Sequence, residues 1–248
     1  MERTLTVLLL LALLVPQQSH AQSNDFGMFY ELGAEEKLTS TWTIGGEAEL
    51  RTRNNTRTID RWTAGVSAEY KFTKKLKAAL GYTFMNVNNI EEYDLKRDGM
   101  TPNKWTPSYW GVRQRLYAGV SGSLDWNRFT FSLRERYQLT YRHAAEVQKY
   151  DFDKEQWTTV KEKVKHVLRS RLQAEYDIPH CKFDPYANVE MFVGKDGIQK
   201  MRYQVGVDYK YKKKQTFSLT YRFQNVNGED DDSDINSHLI GISYKHKF

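Results

Sequence analysis

Residues 110–141 read WGVRQRLYAGVSGSLDWNRFTFSLRERYQLTY. In the first half Trp110, Val112, Leu116, Ala118 and Val120 fall on one side, and Arg113, Arg115, Tyr117 and Gly119 on the other. In the second half Phe129, Phe131, Leu133, Tyr137, Leu139 and Tyr141 share a face opposite Thr130, Ser132, Arg134, Arg136 and Gln138. A period of two belongs to β-strands. The stretch therefore reads as a hairpin connected around Ser121 to Asn127. Closure near Leu124 and Asp125 sets Arg113 beside Arg136 and Arg115 beside Arg134, with four guanidiniums on one face and an aromatic and aliphatic band on the other. A soluble sandwich alternates in the same way, so repetition along the chain has to decide.

That repetition is present. From Phe26 onward, ten to fifteen residues of alternation are followed each time by a break rich in Lys, Asn, Asp, Gly or Pro. The expected strands begin with Phe26 to Leu38, Trp42 to Arg53, Arg61 to Phe72 and a fourth from Leu76 through Phe84. A polar segment of about twenty residues after Val87 precedes the arginine hairpin. A second long connection, Arg142 to Gln156, follows it, and Lys149 to Phe152 and Trp157 to Val160 are expected to prolong the flanking strands. Further strands end at Tyr176, run from Phe183 to Val193, carry Met201 to Tyr211 and Phe217 to Phe223, and close with the segment of Ile240, Ile242 and Tyr244. Each is long enough to cross a bilayer as a tilted strand, which takes about 9–11 residues. Short connections (Lys37 to Thr41, Thr73 to Lys75, Lys212 to Lys214) alternate with longer polar ones, the pattern of outer-membrane barrels.

The N-terminus explains how such a chain would reach that membrane. Glu2-Arg3, an apolar run from Thr4 to Val15 and small residues at Ser19 and Ala21 form a secretory signal cleaved after Ala21. The run is too short for a spanning helix, which needs about 20 apolar residues. Residues 1–21 are therefore set aside, and 22–248 form one domain. A mean hydropathy of -0.73 does not exclude a membrane barrel, whose lumen is as polar as its outer band is apolar. Cys181 stands alone, so no internal disulfide holds the exported chain. With 16 Tyr and 12 Phe against 5 Pro, composition favours strands ending at a polar–apolar boundary. A net charge of +6 without a basic motif gives no reason to expect nucleic acid.

The expected fold is thus all-β: an antiparallel, up-and-down transmembrane β-barrel of ten to twelve strands in the outer membrane of a Gram-negative bacterium, as a monomer. Its expected partners are outer-membrane lipids and lipopolysaccharide, the barrel-assembly machinery, and small anions. Tyr244 and Phe248 give the chain a terminal aromatic strand resembling the signal read by that machinery. Eleven strands are countable, whereas bacterial single-chain barrels have even numbers; either Phe26 to Leu38 is not a full stave or a strand has been missed. The runner-up fold is a periplasmic sandwich.

Segments DFGMFYELGAEEKL, DRWTAGVSAEYKF, FTFSLRERYQL and MRYQVGVDYKYKKKQTFSLTYRFQ also resemble a bacterial family catalogued as domain of unknown function 2490. The resemblance runs from Asp25 to Phe248. It implies an outer-membrane barrel and brings no activity with it.

In such a barrel the lumen receives the charges. The inward set comprises Arg113, Arg115, Arg134, Arg136, Arg169, Arg171, Arg202 and Arg222 with Glu47, Glu49, Glu69, Glu175 and Glu190, joined by Glu31, Arg51 and Asp208. An Arg or Lys facing the bilayer midplane costs about 2–4 kcal/mol. One reading is that carboxylates and guanidiniums interlock to fill a narrow lumen. The other is an arginine-lined pore or pocket for anions, with bidentate contacts to phosphate or carboxylate. Gln114 and Glu135 break the alternation; a β-bulge turning Glu135 inward is the simplest repair, and a polar contact between two barrels is the alternative. The acidic loop Glu229 to Asp234 lacks EF-hand spacing and reads as a solvated tip. The histidines are scattered, and Ser132 and Ser170 lie mid-strand without a histidine beside them, so no metal, cofactor or catalytic residue is expected. Lipid modification is the remaining enzymatic alternative.

Overall fold

The computed structural model describes residues 25–96, 98–212, 214–227 and 235–248; the signal segment and the acidic loop fall outside them. The first four strands are β1 (Asp25–Lys37), β2 (Trp42–Arg53), β3 (Thr58–Lys71) and β4 (Leu76–Asn89). Two short ones follow, β5 (Glu92–Leu95) and β6 (Pro102–Thr106), then the arginine hairpin β7 (Tyr109–Trp126) and β8 (Phe129–Arg142). After β9 (Ala145–Asp151) and β10 (Gln156–Val160) come β11 (Lys163–Tyr176), β12 (Phe183–Gly194), β13 (Gly197–Tyr211), β14 (Gln215–Val226) and β15 (Ser237–Lys247).

Eleven of these close a barrel in the order β1-β15-β14-β13-β12-β11-β8-β7-β4-β3-β2. Neighbours are antiparallel except at the seam, where β1 and β15 run parallel from Asp25↔Ser237 to Glu35↔Lys247. Neither repair offered for the odd strand number is needed. β1 is a full stave, also paired with β2 from Phe29↔Arg51 to Lys37↔Thr43. In an up-and-down chain of eleven staves the first and last point the same way, so they meet in parallel.

The barrel is apolar outside and polar inside. Leu32, Val66 and Leu80 stand 64%, 63% and 62% exposed on the outer wall, whereas Arg113 and Glu190 are each 1% exposed within. Aromatic pairs cluster at the short-turn end, with Trp42 5.0 Å from Tyr70, Phe129 4.8 Å from Tyr176 and Phe217 5.0 Å from Tyr244 (ring centroids). Tyr244 also pairs by its hydroxyl with His246 Nδ1 at 3.4 Å, and the amide of Phe248 donates to the Glu35 carbonyl at 2.9 Å. These contacts place the terminal aromatic strand at the seam.

Two sequence expectations about the hairpin fail. β7 continues through Ser121 to Trp126, and Asn127 and Arg128 alone make the turn. Arg113 consequently faces Arg142, Arg115 faces Thr140, Gly119 faces Arg136 and Ser121 faces Arg134. Asn127 has a φ of 54°, a left-handed conformation that Asn tolerates better than most residues. Leu124 and Trp126 remain on the outer face, so the turn sits beyond them. The expected bulge at Glu135 is also absent, since pairing runs unbroken on both sides of it. Glu135 stays on the outer wall and accepts a hydrogen bond from Ser170 Oγ at 2.6 Å. Gln114, also on the outer wall, faces Tyr141 and pairs through its amide with His143 Nε2 at 2.9 Å.

The two long connections are not extensions of the flanking strands. β5, β6, β9 and β10 form a separate four-stranded sheet in the order β10-β9-β6-β5. Register stacks Tyr93 opposite Trp105, Trp105 opposite Tyr150 and Tyr150 opposite Trp157, so aromatic cross-strand pairs hold the loops together.

Candidate functional site

The lumen contains a cavity of about 260 Å³. Period-two alternation brings its lining together, because each strand contributes every second residue. Among the described residues eleven cationic side chains and four carboxylates line it. The carboxylates are Glu31, Glu47, Glu49 and Glu190.

Glu190 is a hub. Arg134 donates to its Oε1 at 2.8 Å, Arg169 to its Oε2 at 2.7 Å, and Arg202 approaches Oε2 at 3.4 Å. The three donors come from β8, β11 and β13, so one carboxylate on β12 ties together four staves. Phe192, on the same strand, carries three cations around its ring: Arg169 at 4.6 Å, Lys200 at 4.5 Å and Arg202 at 4.9 Å. Stacking of this kind stabilises a cation by about 0.5–2 kcal/mol.

A second cluster lies at the seam. Glu49 accepts from Arg51 at 2.9 Å, and Arg222 stands 4.0 Å from its other oxygen. Arg222 also lies 3.9 Å above the ring of Phe29. Arg202 reaches the Gln224 carbonyl oxygen at 2.9 Å. Arg113 donates to Asn89 at 2.6 Å and Arg115 to Thr140 at 3.0 Å.

Arg136 and Arg171 differ from the rest. Neither has an ion pair or a side-chain hydrogen bond among the described residues. Arg136 stacks 4.0 Å over Tyr117, and Tyr117 in turn lies across Gly81, where a Cβ would come 2.3 Å from the ring. Arg171 keeps a buried Nε with no acceptor, as do Arg134 and Arg169 beside it and Arg142 and Arg202 on either side of them. A buried, unsatisfied polar atom costs about 1–3 kcal/mol, so this wall holds donors in reserve.

Glu31 and Glu47 likewise have no ion pair or side-chain hydrogen bond among the described residues. They stand on β1 and β2, across the barrel from β8 and β11 in the strand order. The register sets the height. From Glu49, pairs followed one way pass Thr63, Met85, Arg113 and Arg142 to Lys163 at one end of β11. Followed the other way they pass Glu31, Ser243, Ser218 and Asp208 to Asp184, beyond its other end. Arg169 and Arg171 fall midway, level with Glu31 and Glu49. At this level the lumen therefore sets Arg136 and Arg171 across from Glu31 and Glu47, with Arg51, Arg61 and Arg222 also lining the glutamate side.

The remaining sequence-stated charges lie elsewhere. Glu69 pairs with Lys77 at 2.8 Å and Glu175 with Lys210 at 3.2 Å, both toward the short-turn end and outside the cavity lining. Sequence reasoning did not single out Lys165, Lys200, Tyr117 or Phe192; their alternation marked them as inward, but nothing in it marked the stacks they join.

Fold and site together define a class: a closed β-barrel with an apolar exterior and a cation-rich, partly compensated lumen. The chain belongs to a protein family of unknown function (DUF2490), whose model matches residues 26–234. Among curated proteins none matches the sequence. Similar solved structures include the β-domain of the Bordetella autotransporter BrkA, with a TM-score of 0.48 and 14% identity over 83% of this chain and 81% of that one. The NanC porin follows, with a TM-score of 0.45 and 14% identity over 86% and 94%. OmpF of Salmonella typhi, in complex with daunomycin, has a TM-score of 0.26 and 12% identity over 83% and 85%.

Proposed function

We propose that this chain is an outer-membrane barrel of a Gram-negative bacterium, exported by its cleaved N-terminal signal, whose lumen admits or holds small anionic solutes. The observation that carries the reading is the imbalance of the cavity lining, eleven cations against four carboxylates. Interlocking to fill the lumen accounts for the Glu190 hub and leaves Arg136 and Arg171 without acidic partners. A wall of like charge in a low-dielectric cylinder concentrates counter-ions and repels co-ions. The proposed partners are lipid and lipopolysaccharide outside, the barrel-assembly machinery at biogenesis, and small anions within a monomer. No catalytic step is assigned to it.

Reversal potentials across a planar bilayer under a KCl gradient test the reading. The protein is expected to favour chloride over potassium, and the double substitution Arg136→Ala with Arg171→Ala to reduce that preference at least threefold. Arg113 is a poor choice for this test, being engaged with Asn89 in the wall. A barrel that inserts but conducts without preference, or not at all, would return the lumen to a purely structural role.

A further inference from the structure

We infer that the level of the lumen between Arg136 and Arg171 on one wall and Glu31 and Glu47 on the other binds small dipolar solutes, with an acid group on the guanidiniums and an ammonium group on the carboxylates. This rests on the anion-admitting lumen proposed above and narrows its ligand. All four side chains line one cavity, and their staves lie on opposite sides of the barrel.

The argument is one of pairing. Ionic groups whose task is only to fill a lumen gain most by meeting their opposites, as Arg134, Arg169 and Arg202 do at Glu190. Arg136 and Arg171 do not reach a carboxylate, and Glu31 and Glu47 do not reach a cation, although both signs line the same space. A gap therefore separates two pairs of like charge, neither of which makes direct contact with an opposite charge among the described residues. The Tyr117 stack over Gly81 holds Arg136 in place, which leaves the edge of its guanidinium for a fork-like contact to carboxylate or phosphate. A plain anion would satisfy the arginines and leave the glutamates facing it across the gap. A solute carrying both charges satisfies the two walls at once.

Ligand-observed NMR on the protein in lipid nanodiscs tests this without requiring conduction. The probes are 4-aminobutyrate, butyrate and butylammonium, and phosphoethanolamine against ethyl phosphate distinguishes a phosphate from a carboxylate end. The dipolar member of at least one series is expected to bind about tenfold more tightly than its singly charged analogues. Glu31→Gln with Glu47→Gln is expected to bring it down to the level of the plain anion while leaving anion binding intact, and Arg136→Gln with Arg171→Gln to weaken both. Each variant is first checked for faster migration unboiled than boiled, so a misfolded protein is not read as a weak binder. Equal binding of dipolar and plain anions, a preference that survives the glutamate substitutions, or no binding overturns the inference. Equal binding alongside retained chloride preference overturns this inference alone, whereas loss of chloride preference defeats the anion reading beneath it.

Discussion

At Glu190 one carboxylate answers three guanidiniums, so neutralising it strands Arg134, Arg169 and Arg202 among like charges. Removing one partner of a buried ionic group costs about 3–5 kcal/mol. Glu190→Gln is accordingly expected to lower unfolding stability in urea by about 3 kcal/mol, read by tryptophan fluorescence in detergent. Glu69→Gln breaks a half-exposed pair with Lys77 and is expected to cost less than about 1 kcal/mol. Asp98, in the loop between β5 and β6, offers a pH prediction. Its carboxylate accepts from Thr101 Oγ1 at 2.5 Å and from the amides of Thr101 and Met100, each at 2.9 Å. These bonds, the Thr101 hydroxyl first, hold its pKa down to about 2 from the usual 3.8. A lowered folded pKa means that the turn is favoured above 3.8 and loses that support as pH falls through about 2. Protection of the Thr101 amide, its exchange rate compared with that of an unstructured chain at the same pH, is expected to hold down to about pH 4 and to fall toward pH 2; protection already absent at neutral pH would contradict the assignment.

Among the elements, the arginine hairpin and the seam carry the instructive cases. Alternation identified both strands of the hairpin and the side its residues face, Glu135 excepted. It did not place the turn, because Ser121 to Asp125 reads equally as strand or connector until the outward Leu124 and Trp126 are seen to continue the wall. A register shift by an even number of residues, here from Arg136 to Arg142 opposite Arg113, moves every cross-strand partner while preserving both faces, which is why the charge lining was legible and the Arg113–Arg136 pairing was not. The seam turns on Gly241. A Cβ there would lie 1.9 Å from Phe29 Cζ, and Phe29, 2% exposed, fills that space beneath Arg222. Gly241→Val is expected to push Phe29 off the wall and open the β1–β15 pairing. The folded, fast-migrating band should shrink or vanish, while Gly33→Ala, where a Cβ meets Lys245 no closer than 3.4 Å, should leave it unchanged. The β5–β6 hairpin escaped the sequence reading and β9–β10 was read as prolonging the flanking strands, because these strands are short and their alternation is interrupted by Pro102, Asp153 and neighbouring polar residues. Their partners are each other, which no local pattern announces.

For the whole molecule, the prediction is that the protein resists unfolding by detergent until heated. With the eleven staves paired around a closed ring there is no edge strand from which to unzip. Unboiled protein is expected to run ahead of boiled protein on a detergent gel and to fractionate with outer membranes in the producing cell. Release as a soluble periplasmic protein would overturn the membrane assignment.

The sequence by itself determined the strand grammar, the outward and inward sets, and hence a barrel with its ions enclosed, because strand side chains alternate with a fixed period whatever their partners. It also carried the family resemblance that the comparison upholds. Only the tertiary structure decided that eleven staves close through a parallel seam, that Glu135 remains on the outer wall with Ser170, and which arginines are compensated. Those outcomes depend on register and on what stands across the lumen, and both are set by contacts between residues far apart in the chain.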